Sequence, residues 1–547
     1  MKKTISFLLI LIFSLPLLTS CQSSFFEVAA STDQFTPMGL SAGSCDYGGA
    51  IKSIQAIDRY TVQFDLCAPD PVLPAKIAFP VFAIQDEGFL NFTGGNSALL
   101  GQSANGTGPY YVQEYKKGEY ISLSRRDNYW GVPPKTKEIR FEWINDDARR
   151  RVNFQLGNSD GVDQFIIRTL QNDPIDIKYD IYYRPSLNLL FLGMNNSVKP
   201  FDNLQVRKAI AYTLNQDFIV ESFYAAGSQP ANQIAPVSMR PGYTTGLDWY
   251  DTNLKAASDA LLDSSVNLDD EIILFYSQDS TTYISDPDLV VQEIIAELRS
   301  VGFNIRPQRM PAAEFKTRME NGDAGLFLYG VTVDFPDATS FYDFLFTNKN
   351  NFLGNPYPEI NTAIQNASNT VNNRERQKFY DEANTLIKEQ IPFVPIAHAS
   401  SSLAFRSDIQ NILVGPMNEN FTEMISHYPP LVFLQENEPT VLWPADETNT
   451  DTFRITSLIY DTLVQYEFGS TALRPGLAES WEPNDDLTSW TFKLRYGVKF
   501  LNGADFDAND VVATFSAIWD MENPNHYGSS GEFEYFIKFF GQFLNQK

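Results

Sequence analysis

The stretch Leu473-Arg474-Pro475-Gly476-Leu477-Ala478-Glu479-Ser480-Trp481-Glu482, followed after a polar turn by Trp490-Thr491-Phe492-Lys493-Leu494-Arg495-Tyr496-Gly497-Val498-Lys499-Phe500, is the most sharply patterned part of the chain. From Trp490 onward, large apolar side chains alternate with Thr491, Lys493 and Arg495. That puts Trp490, Phe492, Leu494 and Tyr496 on one face of a strand, which Gly497 ends. Residues 60–66 and 120–124 alternate in the same way. Helical spacing is equally clear elsewhere. Val291, Ile294, Ile295 and Leu298 fall at i, i+3, i+4 and i+7, with Gly302 as a stop. Phe379, Ala383 and Leu386 mark a second helix, ended by Pro392. Val206, Ile210 and Leu214 mark a third within residues 202–223. Strands and helices interleaved along the chain predict a mixed α/β protein with more than one lobe. No short internal repeat or coiled-coil pattern is seen.

The chain has 547 residues, of which 43% are hydrophobic and 20% charged. That length predicts roughly two to four packed units with sizeable cores. The net charge of −26 argues against nucleic acid as a partner, because phosphate binding needs a Lys/Arg surface. It equally argues against adhesion to anionic lipid through charge.

The first residues read as an export signal. Lys2 and Lys3 precede an apolar run over residues 5–18, too short for the roughly 20 residues that cross a bilayer. Leu18-Thr19-Ser20-Cys21 resembles a bacterial lipobox, in which Cys21 is lipidated and becomes the first residue. Cleavage there removes two lysines and no acid, taking the charge from −26 to about −28. Residues 22–45 are rich in Ser, Thr and Gly and read as a flexible tether. Export places Cys45 and Cys67 in an oxidising compartment, where a disulfide is expected.

Catalytic chemistry is sparse. Gly39-Leu40-Ser41-Ala42-Gly43 matches a nucleophile-elbow pattern, but it lies in the predicted tether, without the strand and helix that the motif requires. No zinc-protease, paired-cysteine or phosphate-loop motif is present. With only His398, His427 and His526, and two thiols besides Cys21, no metal site or cofactor is expected. The pairs Asp334/Asp337 and Glu479/Glu482 have the spacing of glycosidase carboxylates, but an acid-rich chain produces such pairs by chance.

Several segments resemble the family 5 extracellular solute-binding proteins, the peptide- and nickel-binding class that serves ABC importers. The opening stretch resembles that family's signature, together with Asn502-Gly503 and Phe506-Asp507-Ala508-Asn509-Asp510-Val511. Gly106-Thr107-Gly108-Pro109-Tyr110 and Arg126-Asp127-Asn128-Tyr129-Trp130-Gly131 resemble two further markers. So do residues 201–210 and Gly330-Val331-Thr332-Val333-Asp334-Phe335-Pro336-Asp337. Each block occurs once, but the block usually near the N-terminus lies in the last hundred or so residues. The resemblance therefore implies a circular permutation, with the old termini joined around residues 427–430 and the new ends near Cys45 and Asn545 side by side.

The resemblance further implies a two-lobed, type II periplasmic-binding-protein fold that closes on its ligand as a hinged trap. Lobe I is expected over residues 46–185 and 400–547, and lobe II over residues 186–399. The protein is expected to act without catalysis, as a monomer held near the membrane by its lipid and working with permease subunits. The expected ligand is a peptide; oligosaccharides, nickel chelates and opine-like compounds are open alternatives. A secreted hydrolase or a ligand sensor is the alternative role. Asp334 matches the family Asp that holds a peptide's amino group, although it could instead cap a helix starting near Thr339. Val331 and Phe335 stand where the family motif has Trp and Tyr. Glu438 and Trp443, in the turn 436–444, are candidate cleft residues. Tyr110 reads as structural.

Overall fold

A computed structural model describes residues 35–102, 104–164, 178–347 and 352–546. The export signal, Cys21 and the first part of the tether lie outside the described residues.

The alternating stretch forms the strand Ser489–Leu494, in a five-stranded antiparallel sheet. Its order is Gly39–Ser41, Ile51–Asp58, Thr61–Leu66, Ser489–Leu494, Ala478–Pro483. Trp490 lies opposite Phe64, and Phe492 opposite Val62. The Phe64 and Phe492 rings meet edge to face at 5.6 Å, the geometry that aromatic quadrupoles favour. The helix Ala508–Trp519 is buried along its whole length against this sheet, with Phe515 5.0 Å from Phe64. Asp507 and Asp510 begin it with a capping box. The sheet also takes in Gly39–Ser41, so ordered structure starts inside the predicted tether: its backbone pairs with Ile51–Asp58, and Met38 N–H donates to Asn509. Cys45 and Cys67 are joined by a disulfide.

The second sheet has seven strands, in the order Tyr110–Lys116, Tyr120–Arg125, Glu138–Trp143, Leu431–Gln435, Gly161–Asp163, Ser401–Arg406, Tyr179–Arg184. Leu431–Gln435 runs parallel to both of its neighbours, although about 270 to 290 residues separate it from them in sequence. Both sheets thus combine segments from the two ends of the chain.

The third sheet has six strands, in the order Gln229–Pro230, Phe393–His398, Asn188–Met194, Leu326–Thr332, Ile272–Ser277, Ile305–Met310. Asn188–Met194 is buried on both faces, as a central strand covered by helices should be. The parallel pair Ile272–Ser277 and Ile305–Met310 is linked by the helix Pro287–Ser300, which buries Val291, Ile294, Ile295 and Leu298. The predicted second helix is Asn373–Gln390. The third is two helices, Leu204–Thr213 and Gln216–Phe223, because Asn215 caps a fresh start with its side chain on Phe218 N–H.

The chain passes between the seven- and six-stranded sheets at residues 185–187 and again at 399–400. The two crossings are bonded to each other. Asn188 Nδ2 donates to Ala399 O at 2.9 Å, and its Oδ1 accepts the Ala399 N–H at 2.8 Å. Ser400 Oγ donates to Arg184 O at 2.8 Å. Elsewhere, Ala50 N–H donates to Phe540 O at 2.7 Å, so the segment after Cys45 lies against the last helix.

Candidate ligand-binding cleft

Asp334 lies just past the strand Leu326–Thr332, where the six-stranded sheet faces the helix Glu534–Phe540. Its Oδ2 is 2.6 Å from Lys538 Nζ, an ammonium–carboxylate pair. The Asp334 side chain is largely covered, while that of Lys538 is half exposed. Tyr535, one turn earlier, puts its ring 5.6 Å from the same ammonium. Phe335 meets Phe539 edge to face at 5.2 Å. Tyr535 and Phe539 continue into Phe79, Phe82 and Phe453. The seam between the sheets is therefore an ion pair set in aromatic rings. Burial pushes the Tyr535 hydroxyl up, with help from the Asp334 charge, so it remains a neutral phenol.

The N-cap of the helix Thr339–Tyr342 is Ala338, which has no side-chain cap, and the carboxylate bonded to its first turn is Asp337, not Asp334. Asp337 accepts the Thr339 N–H at 2.9 Å and forms a two-pronged pair with Arg376. Burial alone would raise the Asp337 pKa, but the Arg376 guanidinium holds it below the usual carboxylate range. Asp334 and Asp337 are thus each tied to a separate cation, Lys538 and Arg376.

Val331 is half buried within its strand, opposite Leu189. Glu438 Oε1 accepts the Tyr115 hydroxyl at 3.0 Å and the Gly118 N–H at 2.9 Å, bracing the hairpin 110–125. Trp443 is fully buried and packs edge on to Phe533 at 5.7 Å. Its apolar ring surface outweighs the one N–H that burial leaves without a partner.

The glycine and tryptophan markers converge on Asp461. Thr107 Oγ1 and Trp130 Nε1 donate to its Oδ2 at 3.0 and 2.9 Å, and Gln465 Nε2 donates to its Oδ1 at 2.7 Å. Gly106 must be glycine, because a Cβ there would stand 1.9 Å from Ile459 O. Tyr110 is buried, with its hydroxyl on Thr136 O at 2.9 Å, a structural role. Among the described residues no cluster of His, Cys, Asp and Glu could hold a metal ion.

Lys538, Tyr535 and Phe539 are the site residues that sequence reasoning missed. Their signal was a lone lysine inside the aromatic run 533–540.

Residues 23–352 and 472–539, more than half of the chain, match the family described as bacterial extracellular solute-binding proteins, family 5 Middle. The chain belongs to this family. It is 24% identical over 423 residues to the dipeptide-binding protein of Escherichia coli (strain K12), covering 76% of this chain and 78% of that one. It is 26% identical over 406 residues to the peptide transport periplasmic protein SapA of Haemophilus influenzae, covering 71% and 68%. The structure of HbpA2 from Haemophilus parasuis matches with a TM-score of 0.62 at 21% identity, over 67% of this chain and 73% of that chain. The fold is the two-lobed α/β architecture of type II periplasmic binding proteins. Members of this family are ligand binders, and this chain is a solute-binding protein rather than an enzyme. No helix among the described residues is long and apolar enough to cross a membrane.

Proposed function

We propose that this protein captures peptides outside the cytoplasm and delivers them to the permease subunits of an ABC importer. The observation that carries the reading is the Asp334 carboxylate, set in the aromatic seam and already paired with an ammonium group. A peptide's α-amino group would meet the same partner there. A covered, charge-assisted pair of this kind is stronger than its counterpart in water. Relatives named for dipeptide binding and peptide transport support the ligand class. Phe335 would flank the bound peptide, with Val331 and Glu438 as outlying contacts.

On this reading the lobes are residues 46–185 with 400–547, and residues 186–399, and they close by bending at 185–187 and 399–400. Ligand favours closure because it contacts both lobes only when they are shut. Residues 1–21 direct export, Cys21 carries the lipid, and residues 22–38 tether a monomer to the membrane. The family's segments are circularly permuted, which the proximity of Ala50 and Phe540 supports.

The test is a thermal-shift screen of the soluble form starting at Gln22 against peptide, sugar and metal-chelate pools. Ligand at a hundredfold excess over its Kd adds about 2.7 kcal/mol to stability. Peptides are expected to raise Tm in the wild type, and sugars and chelates are not. Stabilisation by sugars or chelates alone would sink the peptide assignment and leave the capture role standing.

A further inference from the structure

Lys538 stands where a ligand's amino group would stand. Its Nζ lies 2.6 Å from Asp334 Oδ2, and it reaches there from the helix Glu534–Phe540 on the opposite side of the seam. The helix holds it in place: Phe539 packs on Phe335, and Tyr535 packs on Phe79 and Phe453. Resting on the reading of Asp334 as the amine site, we propose that Lys538 is the specificity-determining residue of the cleft, a tethered ammonium that an incoming amine must displace.

The physical argument is one of charge count. Asp334 carries one negative charge, and Lys538 neutralises it. A second cation at the same carboxylate would be covered without a counter-charge, which is costly. Amine and Lys538 therefore exclude one another. Because Lys538 is attached to the same chain, it competes at a high effective concentration, of order millimolar or above. A free amino group thus gains little in the wild type, because each new pair it forms breaks one already made. Peptides whose amino group is blocked lose correspondingly little. This cleft would accept free and N-blocked peptides with similar affinity, which a bare carboxylate would not do.

Lys538 is half exposed and carries one resolved ion pair, so Lys538→Met should fold. Calorimetric titration would compare a free peptide with its N-acetyl form on wild type, Lys538→Met and Lys538→Arg. The expected result is about tenfold tighter binding of the free peptide by the Met variant, with the acetylated form within about twofold of wild type. The Arg variant keeps the cation and should keep the wild-type ratio. Thermal shift with n-butylammonium separates this proposal from the peptide reading. If Lys538→Met gains a response to that amine, and loses it on adding Asp334→Asn, while no protein binds peptides, the competitor stands and the peptide reading falls. If Lys538→Met gains neither free-peptide affinity nor a response to the amine, the competitor role is overturned.

Discussion

His398 sits at the end of its strand, one residue before the second crossing, fully enclosed by protein. Its Nδ1 bonds to Asn188 O at 2.6 Å. Burial disfavours the imidazolium and lowers its pKa from 6.5 to about 4, although the Asn188 and Gln233 carbonyls pull the other way. In the unfolded chain the ring protonates near its ordinary value, so between pH 6.5 and 4 the unfolded state binds the extra proton. Stability from this residue is complete above pH 6.5, falls as the pH drops to 4, and is level below that. The loss is about 3 kcal/mol. Urea denaturation at pH 7 and pH 4.5 should show a smaller pH-dependent loss in His398→Gln than in the wild type. An unchanged pH dependence would show that His398 is not the responsible group. At this scale the sequence was readable where a residue's chemistry implies its partner. Asp334 was expected to hold a ligand's amino group; its pairing with Lys538, 204 positions away, was not foreseen, because no local pattern encodes a long-range contact. A capping role was left open for Asp334 beside amine binding, because Asp337 is equally acidic and only three residues on; Arg376 on a distant helix separates the two carboxylates. Trp443 could be read either way, because a tryptophan in a turn can stack on a ligand or fill a core, and its partner Phe533 is 90 positions away.

A network of buried ion pairs joins elements at the root of the crossings. Arg184 ends the strand Tyr179–Arg184, Asp163 ends Gly161–Asp163, and Arg454 and Asp451 lie on the helix Thr450–Ile459. Arg454 bonds Asp451 at 2.6 Å and Glu419 at 3.3 Å, and it also contacts Asp163. Arg184 joins the same Asp163 and Glu419, and its Nη1 donates to Ser401 Oγ at 2.6 Å across the crossing. Burial opposes ionisation of Asp163, but Arg454 and Arg184 override it and hold its carboxyl well below the ordinary range. Removing Arg454 leaves three covered carboxylates facing one guanidinium. Arg454→Met should therefore destabilise by about 3–5 kcal/mol, read as a fall in the urea midpoint. A loss under about 1 kcal/mol would mean that the network is solvated and behaves as a surface pair. None of these spacings could be read beforehand, because the ion pairs join three elements and the loop residue Glu419, scattered over residues 163–454. What periodicity did give was the elements themselves: the strand around Trp490 and the helix Pro287–Ser300 follow from alternation and from the 3.6-residue repeat. Periodicity could not place the break at Leu214–Asn215, since apolar residues continue across it and only the side-chain cap of Asn215 restarts the helix. Composition likewise misread residues 39–41 as tether, since a short polar edge strand is ordered by the strand beside it.

For the whole molecule, the order of segments is the feature with the widest consequence. Ser489–Leu494 completes a sheet begun by Ile51–Leu66, and Leu431–Gln435 completes one begun by Tyr110–Trp143. If the chain is a permuted form of an ordinary family member, its packing should tolerate the reverse operation. Ala50 lies against Phe540, and Tyr428 is 75% exposed in the loop before Leu431–Gln435. A variant starting at Pro429, with Asn545 joined to Ser44 through about ten glycine and serine residues, keeps every strand but the edge strand Gly39–Ser41. Such a linker reaches about 18 Å, ample for segments already in contact. Exposed loops accept new ends because few contacts are lost there, and joining old ends costs only loop entropy. The relinked chain should unfold cooperatively, with a Tm within about 5 °C of the parent, and should respond to the same ligands. Opening the same relinked chain between Val432 and Phe433 should abolish folding, because that cut falls in a strand paired on both sides. A soluble, cooperative first variant beside a failed second one would show that segment order is incidental to this fold. Failure of both would mean that the order has become part of how the two sheets close, and the permutation would then be a determinant of the structure rather than a rearrangement of it.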